Sequence, residues 1–214
     1  MNTWRRPFRS TLAGVALCAA LLGLSQDARA QTLGAAHTGT NFTNSTGTQG
    51  YSFEVSETIS VTHLGIWDQG QDGLIANHQV GLWVQAGALL GSVTVYAGVA
   101  SPLTGEWRFE PLGSPVTLNP GTTYVVGAEY PSGNPDFVMI SGTISTATEI
   151  VNVTTDLWTG PPGLVEPTAT GGFGEAVNAN FLFGPADSIP EPTSLALVAL
   201  GACGLLVWRK RRVA

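Results

Sequence analysis

The chain has 214 residues with 27 Gly, 13 Pro and only 11% charged residues, and a formal net charge of −6. That charge hides a segregation: four of the nine Lys and Arg lie within the first 29 residues and four at 209–212, leaving Arg108 alone in 31–192 against fourteen acids, a net −13. So acidic a middle argues against nucleic acid as a partner, and because Cys18 and Cys203 both sit in the end segments, 31–192 excludes disulfides, a Cys nucleophile and zinc sites that need thiolates.

Residues 1–30 read as a signal peptide. Arg5, Arg6 and Arg9 form a positive n-region, 12–24 is an apolar stretch, and Ala28-Arg29-Ala30 fits the small-x-small cleavage rule through Ala28 and Ala30. The mature chain is then expected to start at Gln31. The apolar stretch is short for an uncleaved anchor, which needs about 20 residues. Arg5-Arg6-Pro7-Phe8 partly matches a twin-arginine motif, but Trp4 and Arg9-Ser10 depart from it, which favours the ordinary secretory route.

Residues 31–50 are rich in Gly, Thr and Asn and are expected to be a mobile or extended lead-in. From 51 to 184 the pattern is that of strands. Tyr51-Ser52-Phe53-Glu54-Val55, 58–67, Val80-Gly81-Leu82-Trp83-Val84 and Ser92-Val93-Thr94-Val95-Tyr96 alternate with period two. Further candidates are Trp107-Arg108-Phe109, 123–130, 137–140 and 176–183, and Gly and Pro clusters punctuate the whole. Some eight or nine short strands separated by turns predict an all-β fold, an antiparallel, jelly-roll-like β-sandwich, over 51–184. Common sandwich topology suggests that Tyr51–Val55 pairs with 180–183.

Candidate sites fall along this domain. Asp68-x-Gly70-x-Asp72-Gly73 matches the start of a calcium loop, in which alternating carboxylates converge on a hard cation. Gly70 stands at a ligand position and Gln79 replaces the terminal Glu, so a hairpin turn explains Asp68 and Asp72 better. No other cofactor is expected. His63 and His78 read as packing or loop-capping residues, with a His78 site shared with Asp68 or Asp72 as the alternative. Glu54/Glu57 and Glu106/Glu110 would serve a glycosidase only if they faced each other across a cleft. No nucleophile elbow, His-Glu-x-x-His or Walker loop is present. Trp83 alternates with Val80, Leu82 and Val84 and so belongs on the other face, where it would stack on a sugar ring or be covered by a loop.

The carboxyl end is the clearest segment. A linker, 185–192, ends in Pro190-Glu191-Pro192; 193–208 is sixteen residues without a charge; 209–214 opens with Arg209-Lys210-Arg211-Arg212. As a helix, 193–208 would be about 24 Å long, short for a bilayer but workable with thinning or snorkelling. The basic cluster places this end in the cytoplasm and the acidic domain across the membrane.

These residues resemble the PEP-CTERM sorting signal. The resemblance implies a bacterial substrate of exosortase, a membrane protease-transpeptidase that would recognise Pro190, Glu191 and Pro192, cut nearby, and release the domain or attach it elsewhere on the envelope. It implies exopolysaccharide and biofilm surroundings. A plain single-pass anchor is the alternative. A second set of residues, Gly50-Tyr51-Ser52-Phe53, 61–74, His78-Gln79-Val80-Gly81-Leu82-Trp83 and Leu118-Asn119-Pro120-Gly121-Thr122-Thr123-Tyr124, resembles a sandwich domain of unknown function found in exported bacterial proteins, and it brings no catalytic residue. The expected protein is exported, anchored by one membrane span before processing, and then located at the envelope or outside. Its expected role is non-catalytic, structural or adhesive, with exosortase, membrane and polysaccharide as partners; the alternative is a glycan-binding module or glycan hydrolase.

Overall fold

In the computed structural model the described residues are 31–38, 42–133, 136–160, 163–172 and 176–186. The signal segment with Ala28 and Ala30, the motif Pro190-Glu191-Pro192, the apolar run 193–208 and the basic end lie outside them. Among the described residues no helix is long and apolar enough to cross a membrane.

The strands, in chain order, are β1 (Thr32–Leu33), β2 (Ala35–Thr38), β3 (Phe42–Asn44), β4 (Gly47–Val55), β5 (Ile59–Trp67), β6 (His78–Val84), β7 (Leu89–Val95), β8 (Leu103–Thr104), β9 (Trp107–Leu118), β10 (Tyr124–Tyr130), β11 (Phe137–Met139), β12 (Thr143–Thr146), β13 (Ile150–Thr159), β14 (Ala169–Thr170) and β15 (Ala179–Pro185). One sheet runs β1-β15-β5-β9-β8, the other β14-β13-β4-β10-β6-β7, and β11-β3 and β12-β2 are small two-stranded additions. Every pairing is antiparallel. The chain is all-β.

The two large sheets share one core. Tyr51, Phe53, Val61, Leu64, Ile66, Leu82, Phe109 and Phe181 are fully buried in it; the aliphatic and Phe side chains each contribute about 1.5–3 kcal/mol on removal from water, while the Tyr51 hydroxyl, buried without a hydrogen-bond partner among the described residues, offsets part of its own gain. Phe53 of β4 stacks on Phe181 of β15 with ring centroids 4.8 Å apart. The expected pairing of Tyr51–Val55 with 180–183 is therefore corrected: β4 and β15 face each other across the core, while β15 hydrogen-bonds to β5 and β1.

The lead-in at 31–50, expected to be mobile or extended, is extended and strand-paired where it is described. β1, β2 and β3 occupy much of it and β4 begins at Gly47. The reason lies in β15. Asn180, buried, accepts the Ala35 N–H through Oδ1 (3.1 Å) and donates through Nδ2 to the Ala35 carbonyl (2.5 Å). Asn178, two residues earlier, treats Met139 of β11 in the same way (2.6 and 3.2 Å). A side-chain amide carries one donor and one acceptor in the spacing of a peptide group, so it continues a ladder where no strand is available. These two amides join the Gly/Thr-rich segment and β11 to the core sheet.

Asn152 and Asp156 of β13 have positive φ (51° and 60°), next to register shifts against β4. Both are bulge positions at which the period-two pattern breaks, and Asn and Asp accept the left-handed backbone at lower cost than other side chains. Residues 163–167 cover part of the outer face of the second sheet. Thr48 Oγ1 donates to the Gly163 carbonyl (3.3 Å) and accepts the Val165 N–H (3.2 Å), so β4 is buried on both faces.

Candidate functional site

The loop between β5 and β6, residues 68–77, forms the best-defined polar end of the molecule. Gly70, Gln71 and Gly73 take positive φ there (84°, 61° and 110°), the left-handed backbone that tight turns require. The Gln71 N–H bonds back to the Asp68 carbonyl (3.1 Å). Asp68 is buried, and its Oδ2 accepts Arg108 Nε at 2.7 Å and the Gly73 N–H at 3.2 Å. Arg108 also donates through Nη1 to the Ser101 carbonyl (3.0 Å) and reaches the Gln71 carbonyl through Nη2 (3.5 Å). The lone cation of 31–192 is thus buried at the junction of two loops, 68–77 and 96–102. A buried charge survives only when paired and hydrogen-bonded, and here each partner satisfies the other.

This corrects the calcium reading of Asp68 and Asp72. The carboxylate at the first ligand position is neutralised by a guanidinium, Asp72 is exposed, and Gln79, in the place of the final ligand, is on β6 opposite Thr94. Among the described residues no three His, Cys, Asp or Glu side chains converge as metal ligands. The turn reading accounts for Asp68, Gly70 and Gly73.

His78 is buried with an acceptor at each ring nitrogen: the Glu129 carbonyl 2.7 Å from Nδ1 and Asp136 Oδ2 2.9 Å from Nε2. Its acidic partner is therefore Asp136, not Asp68 or Asp72. Asp136 further accepts the N–H groups of Ile75 (2.8 Å) and Ala76 (2.9 Å). Burial alone would raise its pKa, but the hydrogen bond from His78 and the two backbone bonds outweigh it, and the carboxyl lies below the usual range. Sequence reasoning missed Asp136, which stands 58 residues from His78 in a Pro/Gly turn with no local signal. Between these groups lies a cavity of about 170 Å³, walled by Trp67, Asp68, Asp72, Ile75, Asp136 and Phe137. Two of its carboxylates, Asp68 and Asp136, are held by Arg108 and His78.

His63 is half-buried beside Thr62 Oγ1 (2.9 Å) and Gln31 Nε2 (3.1 Å), and burial lowers its pKa against the opposing pull of Glu110. His37, unmentioned by any sequence motif, is 7% exposed and lies between Trp67 and Trp107, at ring-centroid distances of 5.4 and 5.3 Å. Neither of its nitrogens makes a hydrogen bond of good geometry among the described residues. Burial lowers its pKa, and the backbone of His37 itself, the carboxylate of Glu106 and the backbone of Val177 only partly offset this.

The paired glutamates are engaged separately. Glu54 accepts Thr123 Oγ1 and Asn152 Nδ2 (3.2 and 2.9 Å), while Glu57 is exposed in a turn. Glu106 accepts Trp67 Nε1 (3.3 Å), and Glu110 accepts Ser101 Oγ (2.6 Å).

Trp83 lies on the face opposite Val80 and Leu82, as alternation requires, but it is not an open platform. It is 5% exposed and packs with Val125, Leu157 and Leu164 beneath the 163–168 segment. The sugar-stacking role of Trp83 is corrected accordingly; the covering loop follows a bulged strand that sequence reasoning did not find.

These features define a class: an all-β domain whose buried ionisable groups mostly brace its own loops. The chain matches the model of a domain of unknown function, DUF4082, over residues 34–176 and belongs to that family. The PEP-CTERM protein-sorting motif matches residues 188–212, which include Pro190, Glu191 and Pro192. That motif is recognised by exosortase, a membrane protein, and implies export, with membrane anchoring at the carboxyl end before processing. No curated protein matches the chain.

Proposed function

We propose that the chain is a non-catalytic surface module, sandwich-like in form, that has a structural or adhesive role at the cell envelope or in the surrounding exopolysaccharide. The supporting observation is the union of a sorting motif at 188–212 with a domain whose candidate acids hold its own loops: Asp68 on Arg108, Asp136 on His78, Glu106 on Trp67 and Glu110 on Ser101. General acid–base catalysis needs a carboxyl free to exchange a proton with substrate, and these are committed elsewhere. On this reading a signal peptide is removed after Ala30, 193–208 anchors the chain, and exosortase acts near Pro190-Glu191-Pro192.

Cell fractionation of the native strain tests it. The native protein should leave the inner membrane without its basic end, whereas Glu191→Ala should keep the full-length chain there. Loss of the gene should weaken retention of the matrix on cells. Release of reducing sugars from the strain's own polysaccharide by the purified protein would overturn the non-catalytic reading.

A further inference from the structure

The sheets have four outer strands, and three of them, β1, β8 and β14, are two residues long. The fourth, β7, has seven residues and pairs only with β6. Beyond β8, β9 carries Pro111 and Pro115, which have no N–H to offer, and Glu110; beyond β14, β13 is broken by bulges at Asn152 and Asp156. Short length, proline, charge and bulges are the usual protections of a sheet edge. β7, Leu89-Leu90-Gly91-Ser92-Val93-Thr94-Val95, has neither proline nor charge, and its one bulge, at Leu90, leaves 91–95 in unbroken register. Among the described residues nothing bonds to the outward backbone groups of 89–95.

Two independent features mark the same flank. Residues 73–105 contain no Asp, Glu, Lys or Arg, in a chain with fifteen acids. Six large apolar side chains are exposed among the described residues, and five belong to this stretch: Ile75 (67%), Leu89 (49%), Tyr96 (51%), Val99 (69%) and Leu103 (41%). They share one side of the molecule. β7 and β8 are the edges of the two facing sheets, the 96–102 turn joins them, and Ile75 is held beside that turn by the Leu74–Gly98 bridge (N to O 3.2 and 2.6 Å).

We infer that this flank is a homotypic interface, in which β7 pairs antiparallel with β7 of a second copy of this chain. Charge selects the occupant. Arg108, the one cation of 31–192, is buried, so two copies meeting through most other faces set acid against acid. β7 brings to an identical strand an edge with no charge of its own and exposed apolar side chains on its rim, the nearest carboxylates being held at its borders, Glu110 on Ser101 and Glu166 on the Ala86 N–H. Two-fold pairing satisfies both open edges at once, since antiparallel strands related by such an axis exchange the same bonds. Anchoring through the sorting motif places copies on a common surface, which raises their effective concentration.

The test uses the full-length chain in detergent micelles, followed by sedimentation velocity over a concentration series. The native protein should dimerise. Ser92 is exposed near the middle of β7, so Ser92→Glu and Ser92→Lys should each weaken the dimer at least about fivefold by setting like charges opposite one another. Mixing the two variants should restore it, which a fold defect or an association through the apolar tail would not do. Unchanged thermal unfolding of both variants is the control. A native protein that stays monomeric, or a Ser92→Glu dimer as tight as the native one, overturns the inference. So does a monomer whose 89–95 amides become protected from exchange only when a foreign surface protein is added, because that assigns the edge to another chain.

Discussion

One flank of the paired sheets is closed by side chains, and the other leaves its backbone open. On the first, β1 and β14 are two residues each, and beyond β1 the ladder of β15 is continued by the amides of Asn178 and Asn180 on Met139 and Ala35. On the second, β7 runs seven residues with no such cover, and its support comes from below, through Arg108, Ser101 and Asp68. Closing an edge with buried amides demands that every polar atom be matched, so such a flank has nothing left to offer a partner. An open edge needs no such matching, and it stays available for pairing.

The comparison can be broken most severely at Arg108. Arg108→Ala leaves the Asp68 carboxylate buried without its cation, and urea unfolding should show a loss of about 3–5 kcal/mol; replacing Asp68 and Arg108 together by apolar residues should recover much of it. A native-like midpoint for Arg108→Ala would remove the ion pair from the account of the open flank. Next is Asn180→Ala, which strands the N–H and C=O of Ala35. A loss of about 2 kcal/mol is expected, together with faster amide exchange in 31–38 and little change at β7.

The smallest effect separates the two buried histidines. His78 meets acceptors at both nitrogens, and His37 makes no hydrogen bond of good geometry among the described residues. With its pKa lowered by burial, His37 takes up a proton less readily in the fold than in the unfolded chain. Stability should therefore decline as pH falls below the ordinary histidine value of 6.5 and be unaffected well above it. His37→Phe removes two unmatched nitrogens and that proton linkage, so it should gain about 1 kcal/mol near neutrality and more at about pH 5. Thermal melts across that range would show it. Asp136 acts lower: its carboxyl is depressed, so its contribution is present above the usual carboxylate range and is lost only as pH falls through its own reduced value.

Much of this fold could be read from the sequence where strands obey period two. β4, β5, β6 and β7 are signalled by alternation, and β10 is a further candidate between turn signals. β13 was not, because Asn152 and Asp156 insert bulges that shift its faces. β9 extends to Leu118 although Pro111 and Pro115 look like breakers, since the register against β5 jumps from Pro111 to Val116 and leaves 112–115, with Pro115, outside the ladder. Of the site, the turn chemistry at Asp68, Gly70 and Gly73 was legible. The partners Arg108 and Asp136 were not, because contacts 40 and 58 residues apart leave no local pattern. Trp83 shows the same limit: alternation gives its face, but only the tertiary path of 163–168 gives its cover.

The burial of Arg108 has a consequence for survival outside the cell. Between Gln31 and Pro192 a trypsin-like protease has a single target bond, Arg108–Phe109, and the folded domain keeps that bond within a paired strand with the guanidinium turned inward. Digestion at this bond must wait for local opening or unfolding, so a domain with no lysine and one sheltered arginine is built to persist among secreted proteases of that specificity.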